Sequence, residues 1–222
     1  MDKYFVVVAG GKGLRMGSDI PKQFIELRGL PILMRTILRL RQSAPESRFI
    51  LVLPQEHIAM WDTLVREKNF DVPVRIVAGG ATRFLSVKNG LDAIEDSDSL
   101  VAVHDGVRPF VAEEVVRQCF QRAEERGAAI PVIRPVESVR IDNNEGENVP
   151  FDRDKCYLVQ TPQTFRTSLL KEAYQQSYQP SFTDDASVVE AMGVHVTLVG
   201  GNRENIKITT QHDLRIAEIL ID

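Results

Sequence analysis

Residues 4–24 read YFVVVAGGKGLRMGSDIPKQF. Tyr4 to Ala9 is a short apolar, β-branched run that stops at a glycine pair. That is the pattern of a central parallel strand, buried on both faces, delivering the chain into a tight loop. In an open α/β sheet such a loop lies at the carboxyl edge, where ligands bind. The same stretch therefore predicts both the fold and the place to look for a site.

Working outward, short strand-like runs recur: RFILVLP ending at Pro54, VRIVAGG at Gly80, SLVAVHDG at Gly106, AAIPVI at Ile133 and HVTLVGG at Gly201. Between them, PILMRTILRLRQ from Pro31, TRFLSVKNGLDAI from Thr82 and AEEVVRQCFQRAEERG from Ala112 carry apolar residues at three- and four-residue spacing. Each predicts a helix laying one face on the sheet. The order implies an α/β fold, a Rossmann-like doubly wound and mostly parallel sheet. No repeat, low-complexity tract or linker divides the chain, so residues 1–222 are expected to form one domain.

Residues 136–160 break the pattern, with alternating residues around NNEGEN and no helical period. They predict a protruding β-hairpin arm, Ser138 to Asp142 pairing back against a segment near Cys156 to Val159. Such an arm either lies on a second copy of the chain, giving a homodimer, or folds back on its own subunit.

Composition bounds the partners. The chain has 222 residues, 43% hydrophobic and 26% charged, with a net charge of −4. This is an ordinary globular composition, and it argues against a generic nucleic-acid binder, so basic clusters should serve a small anionic partner. No apolar run approaches membrane length. Two cysteines, Cys119 and Cys156, form no disulfide framework or zinc pattern and are expected to be packing residues in a reducing cytoplasm.

The opening loop fails both familiar nucleotide motifs. G-x-G-x-x-G begins at Gly11 and Gly13 but meets Met16 at the third glycine, and the second strand ends at Leu53-Pro54 without a ribose carboxylate. A P-loop meets Arg15 or Met16 where glycine should stand. What remains is a glycine loop bearing Lys12 and Arg15, then Pro21-Lys22-Gln23. Glycines admit phosphate oxygens to backbone N–H groups, and cations offset the charge that phosphoryl transfer concentrates there. The competing reading is a plain connection with solvated charges.

AGGKGLRMG followed by PKQF resembles the signature of sugar- and polyol-phosphate nucleotidyltransferases. With AGGATRFLSV, VHDGVRPF, QTPQTF, FTDDASVVE and ENIKIT in order, the chain resembles one branch of them, the 2-C-methyl-D-erythritol 4-phosphate cytidylyltransferases of non-mevalonate isoprenoid biosynthesis. The resemblance implies transfer from CTP to the polyol phosphate with release of pyrophosphate, assisted by Mg²⁺ or another divalent cation. It implies that Ala9, Gly10, Gly11 and Gly13 line the nucleotide loop, that Gly80 and Ser86 face cytosine and ribose, and that Arg15, Lys22 and Lys207 are catalytic. It places Asp105 near the metal, and Arg108, Ser138, Arg153 and Thr161 at the substrate phosphate, with Ser138 and Arg153 serving a neighbouring subunit. This chain carries Ser138 where the family commonly has threonine, which keeps the hydroxyl, and Ala81 where it often has an acidic residue.

The chemistry needs no catalytic histidine, because a phosphate monoester is mostly the dianion at neutral pH. His104 is expected to shape the loop by hydrogen bonding, and Thr183-Asp184 to cap a helix rather than contact substrate. A ribitol 5-phosphate cytidylyltransferase shares the opening loop and is the near alternative. A noncatalytic nucleotide-sensing module is the distant one.

Overall fold

The computed structural model describes residues 1–10, 20–142 and 146–221. Gly11, Gly13 and Arg15 of the predicted loop lie outside the described residues. The chain runs through β1 (Asp2–Val8), the ribbon β2 (Glu26–Leu27) and β3 (Leu30–Pro31), α1 (Ile32–Ser43), β4 (Arg48–Leu53), α2 (Ile58–Glu67), β5 (Val74–Ala78), α3 (Arg83–Asp92) and β6 (Ser99–Asp105). It continues through α4 (Glu113–Arg126), β7 (Ala128–Ile133), β8 (Val139–Asp142), β9 (Asn148–Phe151), β10 (Leu158–Val159), β11 (Gln163–Arg166), α5 (Thr167–Ala173), α6 (Asp185–Glu190), β12 (Thr197–Gly200) and α7 (Gln211–Leu220).

β5, β4, β1 and β6 pair in parallel, in that order. β11 then enters antiparallel between β6 and β7, and β12 pairs parallel with β7. The α/β reading of a mostly parallel sheet with an arm therefore holds. β1 is central, and its alternation divides the core between the two faces. Phe5 and Val7 pack with the buried sides of α1 and α4. Tyr4 and Val6 pack with α3, α5 and α6. Gly90 lets α3 close onto the sheet, since a Cβ there would lie 2.6 Å from Val6 and 2.9 Å from Val52.

The arm differs from expectation in its pairing. Val139–Asp142 pairs with Asn148–Phe151, Val139 opposite Phe151, and not with residues 156–159. Leu158 and Val159 instead pair with Ile133 and Val132 of β7. The reason is reach: β9, beginning at Asn148, is the first strand available to β8, and the alternation then continues onto the edge of β7. Among the described residues, no helix is long and apolar enough to cross a membrane.

Candidate active site

The carboxyl ends of β1, β4, β5 and β6 converge on a crevice of about 690 Å³. Backbone bonds knit its floor: Ala9 N–H donates to Val52 O at 3.0 Å, Gly79 N–H to Leu53 O at 2.8 Å and Gly106 N–H to Val8 O at 2.9 Å. Of the residues singled out from sequence, Ala9, Gly10, Lys22, Gly80, Ser86, Asp105 and Lys207 all line it.

Gly80 is a glycine because of close approach: a Cβ would sit 2.4 Å from that of Leu85. Ser86, on the first turns of α3, accepts from Gly80 N–H at 3.1 Å and donates toward Thr82 O at 2.9 Å. Asn89 Nδ2 donates to Ala78 O at 3.0 Å, and Thr82 caps the helix through Leu85 N–H at 3.1 Å. The loop facing the crevice is thus held from below, leaving Gly80 and Ala81 exposed to it.

Across the crevice stands Asp105, the last residue of β6. Its Oδ2 takes Arg108 Nε at 3.0 Å and Lys207 Nζ at 3.1 Å. Burial alone would raise the Asp105 carboxyl, but Lys207, Arg108 and Arg83 outweigh burial and hold it below the usual carboxylate range. The site therefore keeps a buried anion between cations. Arg108 spends Nη1 on Asn205 O at 2.7 Å and sits under Asp105 rather than facing the crevice.

Thr161 is also behind the site. Its hydroxyl oxygen accepts Asp105 N–H at 3.1 Å and donates to His104 Nδ1 at 3.1 Å, while His104 Nε2–H donates to Arg108 O at 3.0 Å. Burial lowers the His104 pKa to about 4, so the imidazole is neutral, and with its one proton on Nε2, facing a carbonyl, Nδ1 accepts from the hydroxyl. His104 shapes the loop, as its sequence context implied.

Ser138 and Arg153 lie away from the crevice, exposed on the arm. Arg153 Nη1 donates to Val136 O at 2.7 Å, across the base of the hairpin. Val136, Ile141, Val149, Phe151, Leu158 and Val159 leave apolar side chains exposed around them.

Sequence reading missed Arg83, which lines the crevice beside the Gly80 loop. Its guanidinium grips Asp185 with two bonds, at 3.0 and 2.6 Å, and Tyr174 donates to the same carboxylate at 2.6 Å. Asp184 caps α6, closing a capping box with Ser187, and also accepts from Gln163 Nε2 at 2.9 Å. The doubled carboxylate thus divides its work: Asp184 caps, and Asp185, fully buried, pairs. The signal lay in TDDAS and ATRFLSV together, since a buried carboxylate needs a cation.

Cys119 is buried in the core, its thiol pushed up to about 12 by burial. Cys156 is half-buried at the arm. Among the described residues, no group of three histidine, cysteine or carboxylate side chains gathers as a metal centre.

A family model described as 2-C-methyl-D-erythritol 4-phosphate cytidylyltransferase matches residues 4–222. The curated protein of that name from Phocaeicola vulgatus is 54% identical over 222 residues, covering 100% of each chain. The one from Porphyromonas gingivalis is 51% identical over 221 residues, covering 99% of this chain and 97% of its own. Among solved structures, the 4-diphosphocytidyl-2C-methyl-D-erythritol synthase of Anaerococcus prevotii superposes with a TM-score of 0.85 at 29% identity, over 99% of this chain and 96% of that one. The Francisella tularensis cytidylyltransferase does so with a TM-score of 0.82 at 30% identity, over 100% of both chains.

Proposed function

The chain belongs to the 2-C-methyl-D-erythritol 4-phosphate cytidylyltransferase family, and we propose that its crevice transfers the cytidylyl group of CTP to 2-C-methyl-D-erythritol 4-phosphate, in isoprenoid biosynthesis. One observation carries this reading: the loop of Gly79 and Gly80 and a buried, doubly paired aspartate face each other across one crevice that also presents Lys22 and Lys207. The exposed Gly80–Ala81 backbone suits the base and ribose. Lys22 and Lys207 suit the phosphates, joined by Arg15 from outside the described residues.

An oxygen of the polyol phosphate, already a dianion at neutral pH, attacks the α-phosphorus of CTP. The new P–O bond forms as the α–β bridge breaks, and pyrophosphate leaves with the electron pair. No base is needed, so the protein's work is alignment and charge neutralisation. At an effective dielectric near 20, one cation about 4 Å from a phosphate oxygen contributes on the order of 4 kcal/mol before desolvation.

Magnesium fits the residues present. It binds through one or two carboxylates together with substrate phosphates, and Asp105 keeps Oδ1 without a hydrogen bond among the described residues. A bound ion would supply further charge neutralisation between the α-phosphate and the departing pyrophosphate.

The exposed apolar arm supports a homodimer in which Ser138 and Arg153 reach the polyol phosphate held by the other subunit. Arginine is suited to this because its planar fork takes two phosphate oxygens at once. We place the enzyme in the cytoplasm, where both substrates would be met. A substrate panel tests the reaction: each NTP with 2-C-methyl-D-erythritol 4-phosphate, ribitol 5-phosphate and a hexose 1-phosphate. Pyrophosphate release is expected only from CTP with the methylerythritol phosphate, and release with ribitol 5-phosphate instead would overturn the reading.

A further inference from the structure

Lys207 stands on residues 201–209, a stretch with no helix or strand of its own. Its backbone is anchored at the ends, where Gly201 N–H donates to Val132 O at 2.8 Å and Ile208 N–H to Val107 O at 3.0 Å. Between these anchors the loop is held by carboxamides. Gln160 Nε2 donates to Asn202 O at 2.9 Å and to Asn205 O at 3.4 Å. Asn202 accepts Ala112 N–H at 3.0 Å and donates to Phe110 O at 2.9 Å. Asn205 Nδ2 donates to Thr161 O at 2.9 Å.

Three details make this more than loop packing. Asn205 O receives both Gln160 and the Arg108 guanidinium that grips Asp105, so one carbonyl ties the loop of Lys207 to its carboxylate partner. Gly201 presses so close to Gln160 that a Cβ there would lie 2.4 Å from Oε1, which fixes the carboxamide. Asn205 is fully buried, yet its Oδ1 has no hydrogen-bond partner among the described residues. Its ties to the site therefore run through Nδ2, to Thr161 O, and through its carbonyl, to Gln160 and Arg108.

We propose that Gln160 and Asn205 are positioning residues for Lys207, setting where its ammonium meets the reacting phosphates without touching either substrate. Neither lines the crevice. The proposal rests on the reading above, in which Lys207 neutralises phosphate charge. A lysine stem is flexible, so its backbone must be placed by something else, and a small misplacement erodes transition-state stabilisation.

A double-mutant cycle on kcat tests this, with Gln160→Met, Lys207→Ala and the double variant, each shown to be folded by its thermal transition. Gln160→Met is expected to lower kcat by about 10-fold, with the KM for CTP changed less. On the Lys207→Ala background the same change should cost less than about twofold, because the residue it positions is gone. Full multiplication of the two losses, or a Gln160→Met enzyme within twofold of wild type, would overturn the proposal. If Gln160→Met does not fold, Gln160→Asn, which keeps the amide but falls short of Asn205, is read in the same way. A wild-type enzyme that makes no pyrophosphate from CTP and the polyol phosphate overturns the proposed reaction itself, whereas an active wild type with uncoupled variants overturns this inference alone.

Discussion

At the residue scale, the proposed reaction assigns the charge at the crevice to phosphates. Lys22→Ala and Arg15→Ala should each lower turnover by about 10² or more, since each removes stabilisation that grows in the transition state. A folded variant with near-full pyrophosphate release would remove that residue from the mechanism. Asp105→Asn should weaken the dependence of rate on magnesium, and an unchanged magnesium titration would argue against Asp105 as its ligand. His104 offers a separate test. Its pKa is held down to about 4 from the ordinary 6.5, so the unfolded chain takes up the proton first as pH falls. The stability it contributes is complete above about pH 6.5 and is lost on the way to pH 4, amounting to about 3 kcal/mol at most. Urea unfolding at pH 7 and pH 5 should show this loss, and His104→Asn should show a shallower one. Equal wild-type stability at both values would contradict it.

At the scale of elements, α3 and α6 are joined by Arg83 and Asp185 from opposite sides of the domain's sequence. Breaking a buried pair is costly because one charge is left uncompensated. Arg83 is about a third exposed, so solvent recovers part of that cost. Asp185→Asn is therefore expected to destabilise the fold by about 2 kcal/mol. A melting temperature equal to wild type would show that the pair contributes nothing. Its two halves were legible, a doubled carboxylate in TDDAS and an arginine in ATRFLSV, but their pairing was not, because an ion pair spanning 102 residues leaves no local pattern. The cap at Asp184 was legible, since capping depends on residues only three apart. β1 was legible for the same reason of locality: a buried central strand must be apolar throughout. β11 was not, because QTFR owes its place to a gap between neighbouring strands rather than to its composition. α2 was legible but went unread: Ile58, Trp61, Leu64 and Val65 recur at three- and four-residue spacing, and that side packs on the core.

At the scale of the whole molecule, the arm decides whether each active site is made by one chain or two. If Arg153 serves the opposite subunit, an Arg153→Ala chain mixed with a Lys22→Ala chain forms heterodimers with one site carrying both defects and one carrying neither. Activity should then rise toward that of one intact site per heterodimer. A mixture as inactive as its parents, despite demonstrated subunit exchange, would mean that the arm serves its own subunit. The antiparallel entry of β11 between β6 and β7 has a different consequence, one of timing. During synthesis β6 and β7 emerge first, and the slot between them stays empty until the chain has made the arm and returned through residue 166. Thr161, which steadies Asp105, arrives on that same returning segment. A nascent chain ending before it would carry the aspartate without its brace and two strand edges open to foreign partners. The last strand to enter the middle of the sheet therefore closes the interior and braces the aspartate in one event.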